Sequence, residues 1–393
     1  LAPLFFISYG AANHWAASQA HVDSIVFDWE SHIPLLPWTI LPYWSIDLFY
    51  GLSLLLADST FVLRRQVGRL LTAQLLCVSC FYLWPLRFST PRPPLDGWEG
   101  ALFDALTGFD LPFNQAPSLH IVLLLILWDF YRRRVSGRLL WFVHTWSALI
   151  GISVLTTYQH HAIDIPTGMM AGALCMWLWP LEGATPWQGW RQEGVRYDLA
   201  VSYALGAAVL AVAAVQLGFH WSPLAWGLWW PAAALMLVAS AYVGFGRGVF
   251  QKQPSGRQAL AAHMLLAPHR WLAWFNARCW TWRMPSSVEV CDGVWLGRLP
   301  LPWERDHFHF EQVLDVTAEL GSAHAGLVSV PMLDLLVPSP VRLREVAQRL
   351  DACANFGKGP LLVCCALGFS RSAAAVLTWL CVSGKTQSLN DAV

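Results

Sequence analysis

Charge is what this sequence has least of. Only 13% of its 393 residues are Asp, Glu, Lys or Arg, against about 25% in soluble domains. Much of the chain therefore cannot face water. The charges cancel to a net value of zero, which provides no basic surface and argues against a nucleic-acid partner. The nine cysteines form no secreted-type disulfide framework. Cys77 and Cys80 make a CxxC inside an apolar run with no partnering His or Cys pair, so no metal or redox cofactor is expected there. The chain starts without Met and stops at "SLNDAV", where a helix begins, so both ends read as cut.

What is present is apolar sequence, 56% of the chain. A bilayer core takes about 20 mainly apolar residues per helix. About eight candidate spans follow, at roughly 1–20, 38–57, 70–86, 114–131, 139–158, 162–181, 199–219 and 224–245. Basic residues in the connections set their orientation. Arg64, Arg65 and Arg69 follow the second span, Arg132, Arg133, Arg134 and Arg138 follow the fourth, and Arg247, Lys252, Arg257, Arg270, Arg278 and Arg283 follow the eighth. These segments share one parity and belong on the cytoplasmic side. Arg87 and Arg92 fall on the far side and call for a local reason.

The texture changes near Pro285. "VEVCDGVWLGRLP" alternates like a strand pair with a Gly turn, and "FEQVLDVTAEL" contains another strand-like run. "SPVRLREVAQRLDACANFG" has helical spacing with a Gly stop, "PLLVCC" reads as a buried strand, and "SRSAAAVLTWLCVSG" reads as a helix. The predicted architecture is a multi-pass helical membrane bundle, residues 1–246, followed by a small α/β domain with a mainly parallel sheet, residues 287–393. Residues 247–286 read as a basic, tryptophan-rich juxtamembrane linker, suited to the membrane surface or to a plain connector.

"LLVCCALGFSRS" carries the first chemistry. Counting back six from Arg371 reaches Cys365, which makes Cys-x5-Arg-Ser between a strand and a helix. A tight loop of Ala366, Leu367, Gly368, Phe369 and Ser370 can turn its N–H groups inward as an anion nest at a helix N-terminus. The same positive field favours a thiolate nucleophile at Cys365. Arg371 can grip two phosphoryl oxygens, and Ser372 can hydrogen-bond the sulfur when it must leave. Asp334, on the upstream loop "SVPMLDLLVPSP", is the candidate general acid. The loop adds no further positive charge, which favours a simple phosphomonoester over a polyphosphorylated headgroup.

From "GVWLGRLP" through "CALGFSRS" the chain resembles the dual-specificity and tyrosine phosphatase superfamily. The resemblance implies that Cys365 is the nucleophile, Arg371 the phosphate ligand and Asp334 the acid. Cys364 stands where that superfamily usually has His, and a vicinal disulfide with Cys365 is a candidate oxidative switch.

Three further pieces converge on one membrane face by parity: "PRPP" with Arg92, "PSLH" with Ser118 and His120, and "YQHHAID" with His160 and Asp164. His160 can attack phosphorus once its other ring nitrogen donates to Asp164. His120 can protonate the leaving alkoxide, while Arg92 and Ser118 hold phosphoryl oxygens. These pieces resemble the type 2 phosphatidic acid phosphatase superfamily, with a shared core at about 38–181. The resemblance implies the same roles for His120, His160 and Asp164. Pro85 replaces the Lys expected seven residues before Arg92, and no Arg stands just before His160. Both departures weaken the match to the classical phosphatases. The branch of inositol-phosphorylceramide and sphingomyelin synthases also lacks that Arg, which favours this branch and keeps transfer to an acceptor alcohol open beside hydrolysis.

The expected function is thus a membrane phosphatase or phosphotransferase for a lipid phosphate, fused to a cysteine-dependent phosphatase for a phosphoprotein or small phosphomonoester. The fused arrangement resembles bacterial proteins and implies an inner membrane with the second domain cytosolic. The rival is a lipid-binding, inactive membrane half that regulates the second domain.

Overall fold

The computed structural model describes residues 2–301, 303–304, 309–322, 326–356 and 359–386. The terminal "SLNDAV" lies outside the described residues. The chain divides into two compact units, Leu1–Gly183 with Leu217–Leu224, and Ala184–Gln216 with Ala225–Val393.

The first unit is helical: α1 (Ala2–Ala17), α2 (Ile40–Leu55), α3 (Thr60–Leu83), α4 (Gly97–Thr107), α5 (Leu119–Arg132), α6 (Gly137–Thr156) and α7 (Asp164–Leu178). Helix α8 (Tyr197–His220) follows, and then α9 (Trp229–Ser240). Among the described residues, four helical segments are long and apolar enough to cross a membrane: Thr60–Leu83, Gly137–Thr156, Tyr197–His220 and Pro223–Phe250. That is fewer than the eight expected. The shortfall has a local cause. Helices α1, α2, α5 and α7 have 16, 16, 14 and 15 residues, or about 21–24 Å at 1.5 Å per residue. Helix α5 begins only at Leu119 and α7 only at Asp164. The preceding residues, counted into spans by their apolarity, leave the helix to build a site.

Helices α5 and α7 approach closely because α7 offers glycines. A Cβ on Gly168 would lie 2.7 Å from Cβ of Ile121 and 2.9 Å from the Ser118 carbonyl oxygen, and one on Gly172 would lie 3.2 Å from Cβ of Leu125. Small residues let backbones meet where lipid supplies no hydrophobic drive. The far end of α5 is held by charge. Asp129, 1% exposed, accepts from Arg69 at 3.0 Å, Arg132 at 2.6 Å and Arg133 at 3.0 Å. Arg69, expected in a connection but placed inside α3, therefore meets Arg132 and Arg133 at one end of α5, while Ser118 sits at the other.

The second unit holds α10 (Leu260–Leu265), α11 (Ala267–Thr281), β1 (Ser287–Cys291), β2 (Val294–Arg298), β3 (Gln312–Thr317), β4 (Leu327–Met332), α12 (Pro340–Phe356), β5 (Leu361–Cys365) and α13 (Arg371–Val382). The sheet order is β1-β2-β5-β3-β4. Only β1–β2 pairs antiparallel; the other three pairings are parallel. Asp292 and Gly293 join β1 to β2 with φ of 49° and 77°, as a two-residue hairpin turn of matching twist requires. Strand β4 has no counterpart in the expected strand–helix–strand–helix order.

Every residue of β5 is buried, so both faces of the sheet need cover. On one face Leu361, Val363 and Cys365 pack with Val346, Leu350, Ala375 and Trp379 of α12 and α13. On the other, Leu362 and Cys364 pack with Ala277 of α11. The stretch read as a linker therefore supplies the second cover of the sheet. The side chain of its Lys252 is buried, with Nζ 2.6 Å from Asp315 Oδ2 and 2.8 Å from both oxygens of Thr317.

Gly168→Ala forces α7 off α5 and should lower the thermal midpoint of the detergent-solubilised protein, at a cost of about 1–3 kcal/mol. Gly10→Ala, with nothing within 4 Å of the added Cβ, should leave it unchanged or raise it. Equal midpoints for Gly168→Ala and the parent would refute the close-packing account.

Candidate active sites

In the first unit, α5 and the loop before α7 bring Ser118, His160 and Asp164 together. His160 Nδ1 lies 2.9 Å from Asp164 Oδ2, and its Nε2 lies 3.1 Å from Ser118 Oγ. Asp164 opens α7, four residues after His160, and all three side chains are buried. With Nδ1–H donating to the carboxylate, Nε2 carries the lone pair and accepts from the Ser118 hydroxyl. Ser118 also caps α5, its Oγ accepting from the Ile121 amide at 3.4 Å.

His120 faces the same space from α5. It stacks on Tyr43 with centroids 4.0 Å apart, and its Nε2 has no hydrogen-bond partner. Both histidines line a cavity of about 300 Å³ with Tyr43, Asp47 and Asp110. Arg92 lies beside this loop. Its Nε and Nη2 donate to the carbonyls of Thr157 and Tyr158, each at 3.1 Å, and its guanidinium lies over Phe103. A guanidinium carries five N–H donors, so these two bonds leave three. Arg92 thus reaches the stretch just before His160, where the sequence itself has no arginine. His161 plays a supporting part, bound to Glu30 at 2.7 Å through Nδ1 and to the Ser89 amide at 3.1 Å through Nε2.

In the second unit, the turn from β5 into α13 builds the sulfur site. Gly368 has φ of 86°, and a Cβ there would lie 2.7 Å from the Gly297 carbonyl carbon. Only glycine allows the loop to lie this close to β2. The Gly368 amide donates to Cys365 Sγ at 3.2 Å, and the Ser372 hydroxyl does so at 3.2 Å. Ala366 is buried and Phe369 is exposed, while Ser370 precedes the first residue of α13. Cys365 and Cys364 point to opposite faces of β5, as adjacent strand residues must. That geometry does not support the expected vicinal disulfide. Burial pushes the Cys364 thiol well up, which leaves it a packing residue.

Arg371 shows a partner the sequence did not announce. Its Nη1 and Nη2 donate to the two carboxylate oxygens of Glu319 at 2.8 and 2.6 Å, and Nη1 also donates to the Met332 carbonyl at 3.0 Å. Nε–H and one Nη2–H remain, a parallel pair suited to two phosphoryl oxygens. Asp334 Oδ1 lies 3.2 Å from that Nε. The two residues expected to act as acid and as phosphate ligand are therefore neighbours. Burial raises the Asp334 carboxyl and the Arg371 charge only partly offsets it, so it stays above its ordinary value. Burial likewise raises Glu319, but the Arg371 guanidinium overrides it and holds that carboxyl at about 2. Arg371 is itself raised further, because Glu319 outweighs the cost of burying it.

Asp110, Tyr43 and Glu319 escaped sequence reasoning. Glu319 lies in "TAEL", 52 residues from its partner, and nothing local marks it. Asp110 sits in an apolar loop, where a lone acid was the available signal. Among the described residues, no cluster of three or more His, Cys, Asp or Glu could hold a metal ion. Comparison with protein-family models found no match, and comparisons with curated proteins and with solved structures found none either.

Because the folded-state value of Glu319 lies below its ordinary 4.5, the pair stabilises fully above that pH. The contribution is lost as pH falls toward about 2. Acid unfolding followed by tryptophan fluorescence should steepen in this window. Glu319→Gln should remove that part of the slope and cost about 3–5 kcal/mol at neutral pH, as breaking a buried ion pair does. Superimposable acid profiles would contradict the assignment.

Proposed function

We propose that this chain is an integral membrane phosphatase or phosphotransferase that acts on a lipid phosphate through a phosphohistidine at His160. Fused to it is a cysteine-dependent phosphatase that hydrolyses phosphomonoesters, on protein or lipid, through Cys365. One observation carries the reading. Each unit holds a candidate nucleophilic atom whose supporting hydrogen bonds are already made: Asp164 and Ser118 on the imidazole, Gly368 and Ser372 on the sulfur. Preset geometry of this kind lowers the entropic part of a barrier.

In the membrane half, Nε2 of His160 attacks phosphorus and the P–O bond to the lipid alcohol breaks. The alkoxide takes a proton from His120. Water or an acceptor alcohol then gives its proton back to His120 as it attacks the phosphohistidine, and Nε2 leaves. Arg92 and Ser118 hold the phosphoryl oxygens, and Asp164 stabilises the imidazolium. In the second unit, Cys365 Sγ attacks phosphorus while Asp334 protonates the leaving oxygen. Water then displaces the sulfur, returning its proton to Asp334, and Ser372 hydrogen-bonds the departing thiolate. Arg371 offers its two free N–H groups to the phosphoryl oxygens, with the amides of residues 366–370 around them. Neither cycle calls for a metal.

The resemblance of the fused arrangement to bacterial proteins favours a bacterial inner membrane, and the arginine-rich connections favour a cytosolic place for residues 287–393 and an extracytoplasmic one for the histidine site. The abundance of apolar, candidate membrane-crossing sequence favours a substrate that stays in the bilayer for the histidine site.

His160→Ala should lower turnover of a short-chain lipid phosphate by at least about 10³-fold while sparing hydrolysis of an aryl phosphate, and Cys365→Ser should do the reverse. Both activities are measured on full-length protein in mixed micelles. Lipid turnover unchanged in His160→Ala but abolished in Cys365→Ser would sink the two-site reading. It would favour a membrane half that binds lipid and regulates the cysteine site.

A further inference from the structure

The loop that carries Asp334 leaves β4 at Met332 and enters α12 at Pro340. Within it Leu335 adopts φ of 56°, a left-handed conformation that leucine seldom takes without outside support. The support comes from the two helices ahead of the sheet domain. The Tyr242 hydroxyl, in the wide turn just past α9, donates to the Asp334 carbonyl at 3.2 Å. Arg196, one residue before α8, donates through Nη1 to the Leu335 carbonyl at 2.8 Å. The two anchors are themselves tied, since the Arg196 amide donates to the Tyr242 carbonyl at 2.9 Å. The Tyr242 ring stacks on Tyr203 of α8 with planes 3° apart, and Asp198 grips the Arg196 guanidinium.

We propose that Tyr242 and Arg196 are positioning residues for Asp334, so that the two candidate membrane-crossing helices set the acid loop of the cysteine site. The proposal rests on Asp334 acting as the acid for Cys365. Neither residue touches the reacting atoms. Each fixes a carbonyl at or next to Asp334, and the carboxyl beyond it must fall within hydrogen-bond reach of the leaving oxygen. A displacement of about 1 Å costs on the order of 10²-fold in rate. A phosphatase domain cut free of α8 and α9 keeps its sulfur, its loop and its arginine but loses both anchors.

A general acid matters for a poor leaving group and little for a good one, and this separates positioning from plain stability. The full-length protein carrying His160→Ala, which silences the other site, is assayed on an alkyl phosphate and on p-nitrophenyl phosphate; Cys365→Ser added to it gives the blank. Asp334→Asn should lower kcat/KM on the alkyl phosphate by about 10²–10⁴-fold and on the aryl phosphate far less. Tyr242→Phe, which keeps the ring on Tyr203, and Arg196→Met should each reproduce that selectivity at about 10-fold or more on the alkyl phosphate. If Asp334→Asn shows the selectivity and the two anchor variants do not, or if these slow both substrates equally, the positioning role is overturned and the site reading stands. If Asp334→Asn shows no selectivity, the reading of the site itself fails, and the positioning role fails with it.

Discussion

A charge taken out of water must find a partner, and in a chain this poor in charge that requirement shapes both units. Removing an ion from water costs several kcal/mol even after relaxation, so each of four buried acids marks a place where a charged or polar partner was brought in. Asp129 gathers Arg69, Arg132 and Arg133. Asp164 holds His160, Glu319 holds Arg371, and Asp315 holds Lys252. Two of these four contacts are structural pins, and two sit under the atoms given chemical roles above.

The pins and the sites are mechanically linked. Helix α5 has Ser118 at its start and Asp129 near its end, about 16 Å apart along the axis. The arginine cluster fixes one end and the His160–Ser118 contact the other, while Gly168 and Gly172 let α7 lie close along its length. In the second unit, Lys252 and α11 cover one face of the sheet, and α12 and α13 cover the other. Strand β5 can then carry Cys365 at its end with every residue buried. In each unit a proposed nucleophile thus rests on a well-held element: His160 meets Ser118 at the start of α5, and Cys365 ends β5.

Parts of this were legible beforehand. Cys365, Arg371 and Ser372 lie within eight residues, so a strand and a helix joined by a tight loop must bring them together. His160 and Asp164 are four apart, close enough for the turn that leads into α7 to bring them together. The helix and strand of "PLLVCC" and "SRSAAAVLTWLCVSG" followed from unbroken apolarity and from helical spacing. The number of spans did not follow, because residues 114–118, 157–158 and 162–163 read as the ends of spans yet lie outside the helices, around the candidate site. Nor did the role of residues 247–284, whose basic and aromatic composition suits a connector as well as a helix packed on a sheet.

What the sequence determined by itself is therefore local chemistry: which residue types stand at spacings that one turn of backbone can bring together. Tertiary structure alone decided which distant groups complete each site. Glu319 meets Arg371 across 52 residues, Arg92 reaches the carbonyls before His160 across 65 and 66, and Tyr242 reaches the Asp334 loop across 92. The reason is physical. Local propensity and spacing are written in short stretches, whereas the partner of a buried charge is chosen by whichever folded surface excludes water around it.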